Sequence, residues 1–440
     1  MVNYYLDLGR RSHVRSPLMT ALIVVLIGAG VASSMVTFAA LRAMSADPMP
    51  AKSAQLYEPQ IDNWGPLNPD ADGEPPLTLS YTDARALLHA HAAPRQTALY
   101  QVAFSLVPAA ATAAPFAVKG YAVTADFFAM FDVPFVYGAG WSASDDDKGT
   151  DAVVISRRLN DRLFGGVDSV GREVRLDDHD YRVVGVAGDW NPQPRFYATG
   201  HLHDNTDQGD APDVFLPFTY AVDHQVASAW GDNCTPDYNG TGWDAFLHSE
   251  CVWVAFWVDL PTPADAKNYA TFLHNYAAEQ QRLGRFSWQP NVRLRSLTQS
   301  LDYQHAVPEE TRISFLLALG LQLVCLVNVI GLLLAKFMRR SAEIGVRRAL
   351  GASRGAIGLQ FLTEAAMVGV VGGFLGLLLT GIGICGMGTF FTPKVARLVH
   401  IDAGLLGLAL LVSIVAATLA ALYPIWRAMQ VQPAWQLKSN

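Results

Sequence analysis

Several groupings in this sequence carry side-chain types that do chemistry elsewhere. His201 and His203, with Asp204 beside them in a Gly- and Asp-rich run, could offer two imidazoles to a metal. A zinc site needs a full tetrahedral set, and no third or fourth ligand is identifiable. His89 and His91 repeat the spacing in an Ala-rich stretch read as helix. Asp145, Asp146 and Asp147 read as an acidic turn, without the spaced oxygen ligands of a calcium loop. These are read as solvated surface, and no metal, catalytic or cofactor-binding residue is assigned. The chain contains no His-Glu-x-x-His helix and no G-x-x-x-x-G-K-[ST] phosphate loop. The strongest pattern is a run of bases interleaved with apolar residues from Arg339 to Ala352. Glu343 and Arg347 lie four apart in it, the stabilising orientation of an exposed helical pair. Gly351 suits a helix stop. A short amphipathic helix of this kind can dock in a partner's groove and move as a rigid unit. It can also lie on anionic lipid through its bases.

The segments around that run decide the class of the protein. Hydrophobic residues make up 51% of the 440 residues and charged residues 16%, against a globular norm of about 25% charged. So apolar a chain is not disordered. Its net charge of −7 argues against a nucleic-acid partner. The apolar residues concentrate in four stretches long enough for a bilayer core, which takes roughly 20 residues of helix. They are Pro17 to Leu41, Ile313 to Ala335, a run from near Ile357 past Cys385, and Ala403 to about Pro424. The first is longer than a signal-peptide core and lacks a persuasive cleavage site, so it is read as a retained anchor.

The expected division is a flank 1–16, helix one 17–41, an exported domain 42–310, and helix two 311–336. A loop 337–356, helix three 357–385, a short loop 386–402, helix four 403–424 and a tail 425–440 follow. Arg10, Arg11 and Arg15 on the first flank, the bases of the 337–356 loop, and Arg427 and Lys438 on the tail share one side. Their positive excess places them, with both termini, in the cytoplasm of a bacterial inner membrane. Lys394 and Arg397 on the opposite side are a mild exception. The exported block is strongly acidic. Its β-rich runs (Asp151 to Ser156, Tyr181 to Gly188, Cys251 to Leu260) alternate irregularly with helical stretches starting at Thr124 and Arg157 and one ending at Gly284. That pattern predicts an α+β domain, with Asn191 to Thr241 as long loops.

Within helix three, Gly369 with Gly373 and Gly372 with Gly376 are G-x-x-x-G pairs, which let helices approach closely within one chain or across a dimer. Gln322 and Asn328 can hydrogen-bond between spans, and Glu364 calls for a functional role or a loop arginine partner.

The stretch Arg339 to Ala365 (RRSAEIGVRRALGASRGAIGLQFLTEA) closely resembles the signature of MacB/FtsX-type ABC transporter permeases. Lys119 to Trp141, Val153 to Leu176 and the YRVVGVAGDW that follows are similar to that family's periplasmic core. The resemblance covers nearly the whole chain. It implies an integral membrane α-helical protein, one plus three helices, with a large α+β periplasmic domain inserted between helices one and two. It implies a non-catalytic permease subunit that pairs with a second copy, identical or related. Its coupling loop (Glu343, Ile344, Arg347, Arg348, Ala349, Gly351, Ala352, Ser353) would meet a cytoplasmic ATPase that carries ATP and Mg. With no phosphate loop here and few residues before helix one, that ATPase is expected to be a separate polypeptide. The implied setting is efflux of a peptide, antibiotic or other amphipathic substrate, with a periplasmic adaptor and an outer-membrane channel. The alternatives are a signalling permease that switches a cell-wall hydrolase, and a lipoprotein-extracting permease. A membrane-anchored periplasmic enzyme is the reading from a different class.

Cys234 and Cys251 both fall in the exported block, where an oxidising compartment favours a disulfide over two buried thiols. Mass spectrometry of the denatured, non-reduced protein should find them linked; two free thiols would contradict the bridge.

Overall fold

The computed structural model describes residues 16–67, 73–108, 114–198, 211–235, 238, 240–390 and 403–430. His201, His203, Asp204, Lys394, Arg397 and Lys438 lie outside the described residues. The chain divides into two compact units, residues 46–306 and residues 1–45 with 307–440.

Residues 46–306 form the α+β unit. Its strands are β1 (Leu56–Ile61), β2 (Leu79–Ser80), β3 (Arg95–Val107), β4 (Phe116–Val123), β5 (Phe135–Gly138), β6 (Ala152–Ser156), β7 (Glu173–Leu176), β8 (His179–Ala187), β9 (Val214–Pro217), β10 (Val252–Asp259) and β11 (Val292–Ser296). They make one sheet in the order β11-β1-β10-β3-β4-β9-β6-β8-β5, with β2 on β10 and β7 bridging β3 and β8. The β4–β9 and β6–β8 pairs are parallel and the others antiparallel. Every residue of β10 is buried, as suits a near-continuous apolar strand covered on both faces.

After α1 (Pro17–Met44), which belongs to the other unit, the helices are α2 (Tyr81–Ala90), α3 (Phe127–Met130), α4 (Ala143–Asp147), α5 (Arg157–Phe164), α6 (Phe218–Asp223), α7 (Trp243–Leu247), α8 (Pro263–Arg282) and α9 (Leu297–Tyr303). One device recurs where strand passes into helix. Ser80, Ser156 and Ser296 each end a strand in extended conformation, and each hydroxyl accepts the N–H three residues on. A serine of this kind satisfies an orphan donor of the first turn. The Arg285 guanidinium clamps Asp83 of α2 and Glu250 just before β10, with contacts of 2.5 and 2.7 Å. Cys234 and Cys251 form a disulfide, which ties the segment carrying α7 to the start of β10. Asp232 lies beside the two sulfurs, which are engaged with each other rather than available to a metal.

Three local expectations change. The helix read from Thr124 is a single turn, because Asp132 takes a left-handed conformation just beyond it. Asn191 to Thr241 is not all loop: the apolar run from Val214 forms β9 and α6, with β9 buried between β4 and β6. Asp145–Asp147 are helical rather than a turn. Ser142 and Asp145 make a capping box, and the buried Asp146 accepts the Ala125 N–H at 2.9 Å.

The second unit contains α1, α10 (Glu309–Met338), α11 (Ser341–Ala349), α12 (Arg354–Phe390) and α13 (Ala403–Met429). Among the described residues, four helices are long and apolar enough to cross a membrane: α1, α10, α12 and α13. Adjacent glycines on α12 meet different neighbours. A Cβ on Gly369 or Gly373 would lie 2.9 Å from Ala417 or 3.0 Å from Leu410, both on α13. A Cβ on Gly372 or Gly376 would lie 2.8 Å from Ile27 or 3.2 Å from Val31, both on α1. The Ser413 hydroxyl donates to the Gly369 carbonyl at 2.5 Å across the first seam. Ser34 of α1 donates to Gln322 Oε1 of α10 at 2.5 Å. Leu316, Leu317, Leu323, Val324 and Val327 of α10 are exposed, as a lipid-facing surface would be.

Burial pushes the Asp146 carboxyl up to about 7, against the backbone N–H groups of Ala125, Thr219 and Phe218 and with Asp147 adding repulsion. An unfolded aspartate titrates near 3.9. The folded state therefore favours the neutral acid. Its stabilisation is full below about pH 4 and is lost as pH rises through about 7. The unfolding temperature of the full chain should fall across that window, and Asp146→Asn should flatten the slope; an unaltered slope in the variant would refute this.

Candidate functional site

The site is α11 and the two corners that hold it. α10 ends at Met338, and Arg339 and Arg340 make the break before α11. At the far end Leu350 is the C-cap and Gly351 has φ +98°. The Gly351 N–H donates to the Arg348 carbonyl at 3.1 Å and the Ala352 N–H to the Arg347 carbonyl at 3.0 Å. These two bonds are the Schellman pattern that closes a helix. Ser353 then opens α12, its hydroxyl accepting the Ala356 N–H at 3.1 Å. The run Gly351, Ala352, Ser353 is thus a stop and a start in three residues. The string Gly351 to Gly355 also reads G-x-S-x-G. It joins two helices rather than a strand and a helix, and its serine is a cap, so it is not a nucleophile elbow.

α11 carries two apolar faces. Ile344 and Gly345 are buried, and Ile344 belongs to a cluster with Phe337, Ile357, Phe361 and Ile425. Ala342, Val346, Ala349 and Leu350 are exposed, with Val346 at 56% and Leu350 at 83%. Their spacing of four, seven and eight places them on one stripe. A helix in this setting needs only one apolar face to pack on its own chain, so the second has no intramolecular use among the described residues.

Polar contacts fix the rotation of α11. Glu343 pairs with Arg340 at 3.2 Å and with Arg347 at 2.9 Å. Arg347 also donates to Gln360 Oε1 of α12 at 2.9 Å, and Arg348 reaches the Met429 carbonyl at 3.5 Å. Arg340 continues inward to Glu364 at 3.1 Å, and Glu364 meets Lys336 at 2.9 Å. Burial works against the Arg340 charge, but Glu343 and Glu364 outweigh it and hold its pKa above the ordinary value.

All the loop residues singled out by sequence are therefore in or beside α11, while Cys234 and Cys251 belong to the other unit. The glycines of α12 serve helix packing. Lys336, Arg340, Gln360 and Phe361 hold α11 from beneath, away from its exposed stripe, and were not named individually among the loop's coupling residues from sequence. The available signal was Lys336 and Glu364 themselves, charged groups at the edge of or within apolar runs. Gly351→Val, strained at that φ, should cost about 1–2 kcal/mol and open the connector to limited proteolysis near residue 351. An unchanged digest would count against a tight stop.

A model of the MacB-like periplasmic core domain matches residues 20–268, and one of the FtsX-like permease C-terminal domain matches residues 315–433. The uncharacterized ABC transporter permease YvrN of Bacillus subtilis (strain 168) is 26% identical over 323 residues, 72% of this chain and 69% of YvrN. The pyoverdine export ATP-binding/permease protein PvdT of Pseudomonas aeruginosa is 25% identical over 318 residues, 72% of this chain and 41% of PvdT. The macrolide export ATP-binding/permease protein MacB of Salmonella typhi is 26% identical over 272 residues, 60% of this chain and 35% of MacB. The chain thus spans less than half the length of the latter two. The periplasmic region of MacB from Actinobacillus actinomycetemcomitans aligns at TM-score 0.37 and 12% identity, covering 60% of this chain and 97% of that one.

Proposed function

The chain belongs to the ABC transporter permeases that have a MacB-like periplasmic core and an FtsX-like C-terminal domain, and we propose that α11 is its coupling element to a separate ATPase. The observation that carries this is the exposed stripe of Ala342, Val346, Ala349 and Leu350 on a short helix whose opposite face is anchored. An apolar stripe set among bases suits a partner groove with an apolar floor and acidic rim. ATP and Mg would be bound by that partner, since these 440 residues hold no phosphate loop. Two permease copies would form the membrane unit, with termini and α11 in the cytoplasm and residues 46–306 on the far side of the inner membrane. The basic flanks and the acidic exported block support that orientation.

The work done is export. ATP-driven closure of the partner displaces α11, the spans carry the motion outward, and the exported unit acts on an amphipathic substrate with an adaptor and an outer-membrane duct. The names of PvdT and MacB, exporters of pyoverdine and macrolides, support the export reading.

Co-purification in mild detergent from the native host tests it. A P-loop ATPase should be retained with the wild-type chain, and an adaptor beside it supports export, whereas a cell-wall hydrolase in its place would turn the reading to signalling. Val346→Asp with Leu350→Asp alters exposed side chains only, so insertion and melting should be preserved while retained ATPase drops about tenfold or more. Full retention by this variant would exclude the stripe as the docking face.

A further inference from the structure

The geometry points to Glu364 as the positioning residue through which displacement of α11 reaches the spans, an inference that rests on the coupling role just proposed. Glu364 stands on α12, 1% exposed, and its two carboxylate oxygens hold different elements. Oε1 meets Lys336 Nζ, near the end of α10, at 2.9 Å, and Lys336 is itself 2% exposed. Oε2 meets Arg340, at the start of α11, at 3.1 Å. Lys336 also donates to Thr20 Oγ1 of α1 at 3.2 Å. One planar group therefore ties the α10–α11 corner to α12, and through Lys336 to α1. An apolar layer packs around it: the Phe337 and Phe361 rings lie 4.2 Å apart, and the Arg340 guanidinium sits 5.6 Å from the Phe361 ring centroid.

The energetics favour transmission over slippage. If α11 moved while α12 stayed, Arg340 would leave Glu364, and the buried carboxylate would keep only one of its two cations, Lys336. Weakening the compensation of a buried charge is unfavourable. Moving the corner and the spans together keeps both contacts. Glu364 does not lie on the exposed stripe of α11, so its role is separable from docking. The remaining α11 anchors are Ile344, in an apolar cluster with residues of α1, α10, α12 and α13, Arg347 on Gln360 of α12, and Arg348 on the Met429 carbonyl of α13. These work through apolar packing or neutral acceptors.

The test uses the full chain with its co-purified ATPase in nanodiscs and reads two quantities: ATPase retained, and stimulation of ATP hydrolysis by the permease. Glu364→Gln should leave retention unchanged and lower stimulation about tenfold, and Glu364→Asp should restore most of it. Lys336→Met with Glu364→Met removes both buried charges without stranding either, so it guards against misfolding, and it should show the same split. Normal stimulation in either variant overturns the inference. Parallel loss of retention and stimulation in both also overturns it, because Glu364 would then merely shape the docking face. A wild-type chain that retains no ATPase overturns the coupling reading itself, and this inference with it.

Discussion

A carboxylate shut away from water has to be matched by cations, and at the foot of the membrane unit that requirement shapes everything nearby. Glu364 lies between Lys336 and Arg340. Stranding that carboxylate without a cation would cost about 3–5 kcal/mol. The α10–α11 corner and the position of α12 are therefore set together, while Glu343, Arg347 and Gln360 fix the rotation of α11. Arg340 hands the network on to Glu343, Glu343 to Arg347, and Arg347 to Gln360. With its rotation fixed, α11 must bury Ile344 and must show Val346 and Leu350. The exposed stripe is a consequence of what is anchored beneath it.

The spans are held by different physics. Lipid offers no hydrophobic gain for helix association, so close approach and a few hydrogen bonds have to suffice. The glycines of α12 supply the approach, and their offset by a few positions lets one helix nest against two. Ser413 bonds α13 to α12, and Ser34 bonds α1 to α10. α12 is thereby packed on both α1 and α13.

The α+β unit is organised around β10 and β3, strands apolar enough to sit at the centre of a mixed sheet. Serines at strand ends turn the chain directly into helices, which keeps the connections short. Arg285 and the Cys234–Cys251 disulfide gather the segments that the sheet alone would leave loose. Asp146 is a buried acid in the same unit, and its burial makes the fold sensitive to pH in the window where that acid ionises.

Much of this was legible in the residues alone, because some physical rules act within a short window. A bilayer-length apolar run is a local property, so the four spans and the block between helices one and two follow from it. Loop bases bear on orientation for the same reason, and Gly351 followed by Ser353 marks one helix ending and another beginning. Pairings between distant positions obey no such window. Lys336 and Glu364 are apolar-run anomalies until folding brings them to 2.9 Å. Val214 to Val222 reads as part of a loop-rich tract until β9 finds β4 and β6. The division of Gly369 and Gly373 from Gly372 and Gly376 between two helices depends on which neighbours pack on α12. The sequence by itself determined that there are spans, a short amphipathic helix between two of them and an α+β domain between helices one and two. Only the tertiary structure decided which face of that helix is spent on anchoring and which is left exposed, because burial is settled by the whole packed chain and not by any stretch of it.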